Sequence, residues 1–188
     1  MKNQFFITGL PRSRTSWLAN FFTYNNSFCF HEATRFCANM QDLKDLMKSH
    51  EAGNIGNADP ALLHIMDDVK KVFPDSRIVL VEREIHETID SFIDFYTSYE
   101  YKSIQEWIES LFEVMENIKQ KYDVKAVAHD DLNHMETCRE VWEYLLPGQP
   151  FDIKRWNLLD ELYINKLVDK HSNHVMKKSL YHRYIKYY

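Results

Sequence analysis

The sequence predicts an α/β fold, a three-layer α/β/α sandwich around a central, mostly parallel sheet. Two observations support this prediction. Short apolar runs alternate along the chain with longer segments whose apolar residues recur at helical spacing, which is the pattern of a doubly wound sheet. The run from Ile78 to Val81 is continuously apolar rather than alternating, as expected of a strand that is covered on both faces.

Length and composition fit one domain of about this size. The chain has 188 residues, of which 45% are hydrophobic and 14% aromatic, so it can bury a proper core. No apolar run is long enough to span a membrane, and the first residues lack the apolar core of a signal peptide. Three cysteines without a CxxC pair indicate neither a disulfide framework nor a zinc site. We therefore expect a cytoplasmic protein.

The first half of the chain contains two apolar runs and one polar, glycine-containing segment, and each of them precedes a helical pattern. Phe5 to Ile7 predict a strand that reaches Gly9, and the apolar residues from 17 to 22 predict a helix. Residues 28–32 predict a second strand and residues 39–50 a helix. Residues 53–59 predict a loop or a short strand, and Pro60 suits the first turn of the helix that follows.

The second half begins with the clearest strand of the sequence, residues 77–83. Helices are predicted over 84–95 and 103–121, a short strand over 125–129, and helices over 133–146 and 155–170. Residues 1–170 therefore form one predicted domain. Residues 171–188 alternate cations with tyrosines and predict a basic C-terminal tail or helix, whose tyrosines we expect to pack on the domain.

The segment between the first strand and the first helix predicts an anion-binding loop. Gly9 is followed by a turn through residues 11–16, which contain two arginines and three hydroxyl side chains. Such a loop directs free backbone N–H groups and the positive end of a helix dipole at one point. Because the net charge of the whole chain is −5, general nucleic-acid binding is not expected, and any anion site must be local.

The loop fits one phosphate-binding pattern better than another. In the P-loop NTPase pattern, Gly9 matches the first glycine and Ser16 the hydroxyl, but Thr15 stands at the position of the phosphate-binding lysine. The loop instead resembles the 5′-phosphosulfate loop of sulfotransferases, a Pro-Arg/Lys-Ser-Gly-Thr-Thr/Ser core after the first strand. The six residues from Pro11 to Ser16 match at every position except Arg14, which replaces the glycine.

A second motif lies at the end of the strongest strand. Arg83 ends this strand, and Ser91 follows eight residues later in the next predicted helix. Ligands of parallel α/β sheets bind beyond the carboxyl ends of the strands, where an arginine offers a bidentate fork to a phosphate. Sulfotransferases have an Arg and a Ser at this spacing, and there the two residues bind the 3′-phosphate of the cofactor.

The two motifs together resemble the sulfotransferases that use 3′-phosphoadenosine 5′-phosphosulfate (PAPS) and release 3′-phosphoadenosine 5′-phosphate (PAP). The resemblance implies a P-loop-like nucleotide-binding topology and metal-independent sulfuryl transfer to a hydroxyl or amine of a small molecule, glycan or peptide. It also implies an electrostatic role for Arg12 and a stacking contact between Trp17 and the adenine. The cofactor-binding residues that it implies are Gly9, Pro11, Arg12, Ser13, Arg14, Thr15, Ser16, Trp17, Arg83 and Ser91. No clustered carboxylates in the sequence indicate a metal site.

Two residues at the end of the second predicted strand are candidates for the base that takes the acceptor's proton. His31 and Glu32 both have side chains that can be tuned to titrate near neutral pH. The segment His31 to Arg35 resembles the GEETR segment of the tyrosylprotein branch, but the catalytic base of that branch falls on Ala33. We favour Glu32 slightly over His31. For Arg35 we favour an ion pair with a surface carboxylate over a contact with an acidic or sulfated acceptor.

Two other functions remain open at the level of sequence. A P-loop kinase of nucleotides or metabolites would need a cation at the position of Thr15. A non-catalytic protein that binds PAPS or PAP would explain Arg14 in place of a glycine and the uncertain base. The sequence also lacks the C-terminal Arg-Lys-Gly loop of cytosolic sulfotransferases.

Overall fold

The computed structural model describes residues 2–95 and 100–161, and these ranges contain five strands and seven α-helices. The strands are β1 (Asn3–Gly9), β2 (Ser27–His31), β3 (Asn54–Ala58), β4 (Arg77–Glu82) and β5 (Lys125–Ala128). The helices are α1 (Thr15–Phe22), α2 (Met40–Ser49), α3 (Leu62–Val72), α4 (Ile85–Phe95), α5 (Tyr101–Lys121), α6 (Met135–Leu145) and α7 (Ile153–Glu161). Two short 3-10 helices cover Ala33–Phe36 and Asp130–Asn133.

The five strands form a single parallel sheet in the order β2-β3-β1-β4-β5. β1, which precedes the predicted anion-binding loop, is the central strand. β4 lies beside it, and its four central residues, Ile78 to Val81, are completely buried. This confirms the α/β prediction and the interior position inferred from the continuous apolar run.

Helices cover both faces of the sheet, so the structure has the three predicted layers. Successive side chains of a strand point to opposite faces. Accordingly, Phe6 packs into a core formed with α2, α3, α4 and α5, while Phe5 and Ile7 pack into a second core with α1, α6 and α7. Both cores border β1, and together they hold the strand and its following loop in place.

The prediction from sequence was least specific for β3. Residues 53–59 predicted a loop or a short strand, but β3 lies between β2 and β1 and all five of its residues are buried. Gly56 is required there because a Cβ at this position would overlap the ring of Phe5. The side-chain oxygen of Asn57 accepts a hydrogen bond from the backbone N–H of Ala33 at 3.1 Å, which satisfies a polar group inside the sheet.

Several helix ends differ from the predicted ones by a few residues. α2 begins at Met40 because the side chain of Asn39 caps it, accepting hydrogen bonds from the N–H groups of Gln41 and Asp42. The helix predicted over 133–146 is preceded by a 3-10 turn, and α7 begins at Ile153. The predicted tail, 171–188, lies outside the described residues. Within the described part of the chain, no helix combines the length and apolar character needed to cross a membrane.

Candidate functional site

The loop between β1 and α1 has an unusual backbone conformation. Gly9 ends β1 beside the carbonyl oxygen of Val81, which a Cβ on Gly9 would overlap. Arg12 and Arg14 adopt left-handed conformations with φ of 68° and 61°. Such conformations are unfavourable for residues with a Cβ and concentrate at functional sites. The first turn of α1 follows at once, so the loop ends in a helix N-terminus.

A cleft of about 290 Å³ lies beyond the carboxyl ends of the strands, beside this loop. Its charged lining consists of four arginines and a single carboxylate, Arg12, Arg14, Arg35, Arg83 and Glu32. The remaining lining residues are Pro11, Thr15, Ser16, His31, Pro60, Ser91, Phe92 and His129. A strongly cationic cleft in a chain of net charge −5 agrees with the expectation that anion binding would be local.

The two sequence motifs meet in this cleft. Arg12 Nε donates a hydrogen bond to Ser91 Oγ on α4 at 3.3 Å. Arg83, at the end of β4, donates from Nη1 to the carbonyl oxygen of Arg12 at 2.7 Å, and its Nε lies 3.6 Å from a carboxylate oxygen of Glu87. The guanidinium of Arg83 has five donor hydrogens, which is more than its contacts with Arg12 and Glu87 use.

His31 and Glu32, the two candidate bases, occupy the opposite side of the cleft. Ser16 Oγ lies 3.0 Å from His31 Nε2 in a hydrogen bond. Glu32 follows β2 in a left-handed conformation with φ of 53°, and its Oε2 lies 2.6 Å from Arg35 Nε. Arg35 therefore pairs with a carboxylate, but this carboxylate lines the cleft and is not the surface carboxylate that was expected.

Burial sets the protonation of both candidate bases. It lowers the pKa of His31 to about 4, with nearby Arg35 acting in the same direction and Asp59 against it. Burial raises the pKa of Glu32, and Arg35 opposes this increase. At neutral pH the imidazole of His31 is therefore neutral, and it is a weaker base than an exposed imidazole.

Asp59, the residue that follows β3, stabilises the turn after β2 that contains Glu32. Asp59 is fully buried, and its Oδ2 accepts hydrogen bonds from Thr34 Oγ1 at 2.5 Å and from the Thr34 backbone N–H at 3.2 Å. Its Oδ1 accepts from the N–H of Ala61 at 2.9 Å. Burial raises the pKa of Asp59. The carboxylate is thus engaged with the turn rather than with the hydroxyl of Ser16.

Three predicted cofactor-binding residues do not line the cleft. Gly9 lies beneath the loop, and Ser13 is fully buried, with an Oγ that has no hydrogen-bond partner within the described ranges. Trp17 is 9% exposed, stacks on Phe21 in the core, and donates from Nε1 to the carbonyl oxygen of Leu159 at 3.0 Å. The roles of these side chains toward a cofactor stay predictions.

His129 lines the cleft, although the sequence analysis did not identify it as a site residue. It follows β5 directly, and its N–H donates to the carbonyl oxygen of Glu82 at 2.7 Å. Its Nδ1 lies 2.8 Å from Asp130 Oδ1, and the carboxylate of Glu87 is also within 4.8 Å. Arg83 also pairs with Glu87, so His129 lies among one guanidinium and two carboxylates. The position of His129 at a strand's carboxyl end was the signal that could have revealed it.

Comparison with known proteins identifies the class of fold. No protein-family model matches the sequence, and no curated protein matches it either. Among solved structures, mouse sulfotransferase SULT7A1 complexed with PAP is similar, with a TM-score of 0.59 and 12% identity over 85% of this chain. A sulfotransferase from Alicyclobacillus acidocaldarius has a TM-score of 0.58 and 10% identity, also over 85% of this chain.

The chain thus has a sulfotransferase-like fold, with the predicted P-loop-like topology. The match spans 63% of the length of the mouse protein and 90% of the bacterial one. At these levels of identity the similarity shows the fold, and activity must be argued from the site.

Proposed function

We propose that this chain is a PAPS-dependent sulfotransferase that transfers a sulfuryl group to a hydroxyl or amine acceptor without a metal ion. The observation that supports this most directly is the convergence of Arg12, Arg83 and Ser91 in one cationic cleft. A cofactor with a phosphosulfate at one end and a phosphate at the other requires two linked anion sites. The mouse neighbour, which has the same fold, was solved with PAP.

The two ends of the cofactor have separate ligands in this proposal. The loop from Pro11 to Ser16 binds the 5′-phosphosulfate through its backbone N–H groups, including that of Arg14, and through the hydroxyls of Thr15 and Ser16. The side chain of Arg14 instead reaches Asn133, beside His129. Arg83 and Ser91 bind the 3′-phosphate. Because Arg12 contacts Ser91 and belongs to the loop, it lies between the two anionic groups.

Transfer then proceeds in line. The acceptor oxygen or nitrogen attacks sulfur, the bond between sulfur and the bridging oxygen of the 5′-phosphate breaks, and PAP leaves with that electron pair. Arg12 stays charged throughout and neutralises the charge that develops on the leaving oxygen. The acceptor's proton passes to a base on the other side of the cleft.

Glu32 is the base that we favour, and His31 is the alternative. Both line the cleft, and the burial that raises the pKa of Glu32 makes its carboxylate a stronger base than an exposed one. The ion pair with Arg35 orients this carboxylate. His31 is neutral at pH 7, but its Nε2 already bonds Ser16, which suits a role in holding that hydroxyl.

Release of PAP from PAPS, measured with panels of hydroxyl and amine acceptors, tests the proposal. Glu32→Gln should lower turnover by about 10²–10⁴-fold while leaving PAP affinity within a few-fold of wild type. His31→Asn should have a smaller effect. The reverse order would assign the base to His31. Wild type that binds PAP but transfers to no acceptor would favour the non-catalytic binding protein.

A P-loop kinase remains the alternative enzyme. A kinase of this kind needs a cation on the β- and γ-phosphates and an Asp that helps the loop hydroxyl to hold Mg²⁺. Here Thr15 occupies the lysine position, Ser16 bonds His31, and the buried Asp59 bonds Thr34. These contacts favour sulfuryl transfer. A small-molecule, glycan or peptide acceptor and a cytoplasmic location stay predictions.

A further inference from the structure

His129 is brought beside the anion-binding loop by the pairing of β5 with β4. The backbone N–H of His129 extends this pairing by donating to Glu82, so the residue is fixed next to Arg83 at the sheet's carboxyl edge. Its side chain is only 13% exposed and lines the same cleft as Arg14 and Arg83. Nδ1 is engaged by Asp130, so an anion in the cleft would be bound by Nε2.

Arg14 links the loop to the segment that follows His129. Its guanidinium donates a hydrogen bond to Asn133 Oδ1, in the 3-10 helix after β5. Arg14 is also one of the left-handed residues of the loop, so its backbone is constrained as well. Arg14 and Arg83 therefore approach His129 from two different elements, and both act electrostatically on its imidazole.

The charges around His129 are of both signs. Burial and the two arginines lower the pKa of His129, while the carboxylate of Asp130 raises it, and Glu87 on α4 adds a second carboxylate within 4.8 Å. Asp130 and Glu87 are both exposed and therefore well screened by solvent.

An adjoining cleft on the α5 side contains a further charged group. There Lys119 is paired with Glu82 and with Glu116, at 3.0 Å from the latter, which leaves one net negative charge in the group. His129 and Arg83 line this second cleft as well. Glu84 also lines that cleft and is exposed. Among the charged residues that line the anion-binding cleft, Arg83 and Arg14 are the two that act on the imidazole of His129.

We propose that His129 binds the 3′-phosphate of the nucleotide together with Arg83 and Arg14, and takes up a proton when it does so. This inference rests on the proposed function, because it assumes that the cleft binds PAP. Without ligand, the two guanidiniums disfavour a charged imidazole. A phosphate dianion between them reverses this, because it attracts all three cationic groups.

The sign of the pH dependence follows from this reversal. The pKa of His129 is lowered in the free protein and must rise when the phosphate binds, so binding is tighter where the imidazole can be protonated. Each unit by which phosphate raises this pKa corresponds to about a tenfold gain in affinity at low pH. PAP affinity should therefore increase as the pH falls from 8 to 6, relative to a protein without His129.

Calorimetric titration with PAP at pH 6 and pH 8 tests the proposal on wild type, His129→Gln and the control His134→Gln. His134 is exposed and does not line the cleft, so its replacement should leave affinity unchanged. His129→Gln should weaken PAP binding about tenfold at pH 6 and clearly less at pH 8. The phosphates of PAP also titrate in this range, and the comparison at equal pH removes their contribution.

Two further measurements make the assignment specific. Wild type titrated with PAP at pH 7 in buffers of different ionisation enthalpy should show proton uptake that His129→Gln lacks. AMP, which has no 3′-phosphate, should bind wild type and His129→Gln equally. Equal loss with AMP would overturn the assignment to the 3′-phosphate, and equal PAP binding by both proteins at both pH values would overturn the role of His129. Wild type that binds no PAP would instead overturn the proposed function, and this inference with it.

Discussion

Arg83 Nη1 donates a hydrogen bond to the carbonyl oxygen of Arg12 at 2.7 Å, across 71 residues of sequence. The bond joins the end of β4 to the left-handed turn of the β1–α1 loop. The Arg83 side chain is proposed to bind the 3′-phosphate, and it also fixes the loop that is proposed to bind the 5′-phosphosulfate. Binding at one end of the cleft should be coupled to order at the other.

Replacing Arg83 by lysine should loosen the loop. A lysine keeps the charge but cannot retain both the contact with Arg12 and that with Glu87 in the same geometry. Loss of one charge-assisted hydrogen bond, worth about 1.5–3 kcal/mol, should speed hydrogen exchange of the amides in residues 12–16 about tenfold or more. Arg77→Lys, at the other end of the same strand, is the matched control and should leave these amides unchanged. Equal exchange in both variants would contradict the link.

Arg14 should be under backbone strain. Its φ of 61° is natural for glycine, whereas a residue with a Cβ pays about 1–2 kcal/mol in this conformation. Arg14→Gly and Arg14→Ala both remove the hydrogen bond to Asn133, but only glycine relieves the strain. We expect the glycine variant to be about 1 kcal/mol more stable than the alanine variant in urea unfolding. Equal stability would show that the loop has no strain at this position.

Stability should fall on mild acidification because of His31. Its pKa is lowered to about 4 in the folded protein, below the ordinary value of 6.5, so protons bind the unfolded chain more readily. The contribution is fully present above about pH 6.5 and is lost as the pH falls toward 4, by on the order of 1–3 kcal/mol. Urea unfolding of wild type and His31→Asn between pH 7.5 and 4.5 measures it. Parallel curves for the two proteins would contradict the assignment.

Gly56→Ala should destabilise the sheet by overpacking. The new Cβ would overlap the ring of Phe5, and crowding of this kind costs about 1–3 kcal/mol. The cost should be smaller by about 0.5 kcal/mol or more when Phe5 is replaced by leucine, because the two positions share the same space. A double-mutant cycle on the free energy of unfolding provides the measurement, and strict additivity would argue against the contact.

Much of the fold could be predicted because its strands have local signals. β1 and β4 are apolar runs that end in a glycine or an arginine, and parallel pairing brings such ends to one edge. β3 has no such signal. Its two asparagines have partners on other elements: Asn57 accepts from the N–H of Ala33, and Asn54 bonds Asn3 and the carbonyl oxygen of Asn26. These partners depend on the strand order.

The residues of the site likewise fall into those that the sequence could predict and those that it could not. Arg12, Arg83 and Ser91 could be found because a motif fixes their spacing and the sheet brings them together. The helical spacing of Trp17 with Phe21 was compatible with a core position, but the resemblance placed Trp17 against the adenine. In the structure it packs in the core and donates to the carbonyl oxygen of Leu159 on α7. His129 has no motif at all. Its environment depends on the pairing of β5 with β4, which only the fold provides.

The most direct test of the central claim is calorimetric titration with PAP in EDTA, compared with ATP and magnesium, on wild type, Arg12→Ala and Arg83→Ala. We predict metal-independent binding of PAP by wild type that weakens at least tenfold in both variants, because each removes a charge-assisted contact worth about 1.5–3 kcal/mol. Binding of ATP with magnesium in the absence of PAP binding would contradict the sulfotransferase proposal and support the kinase.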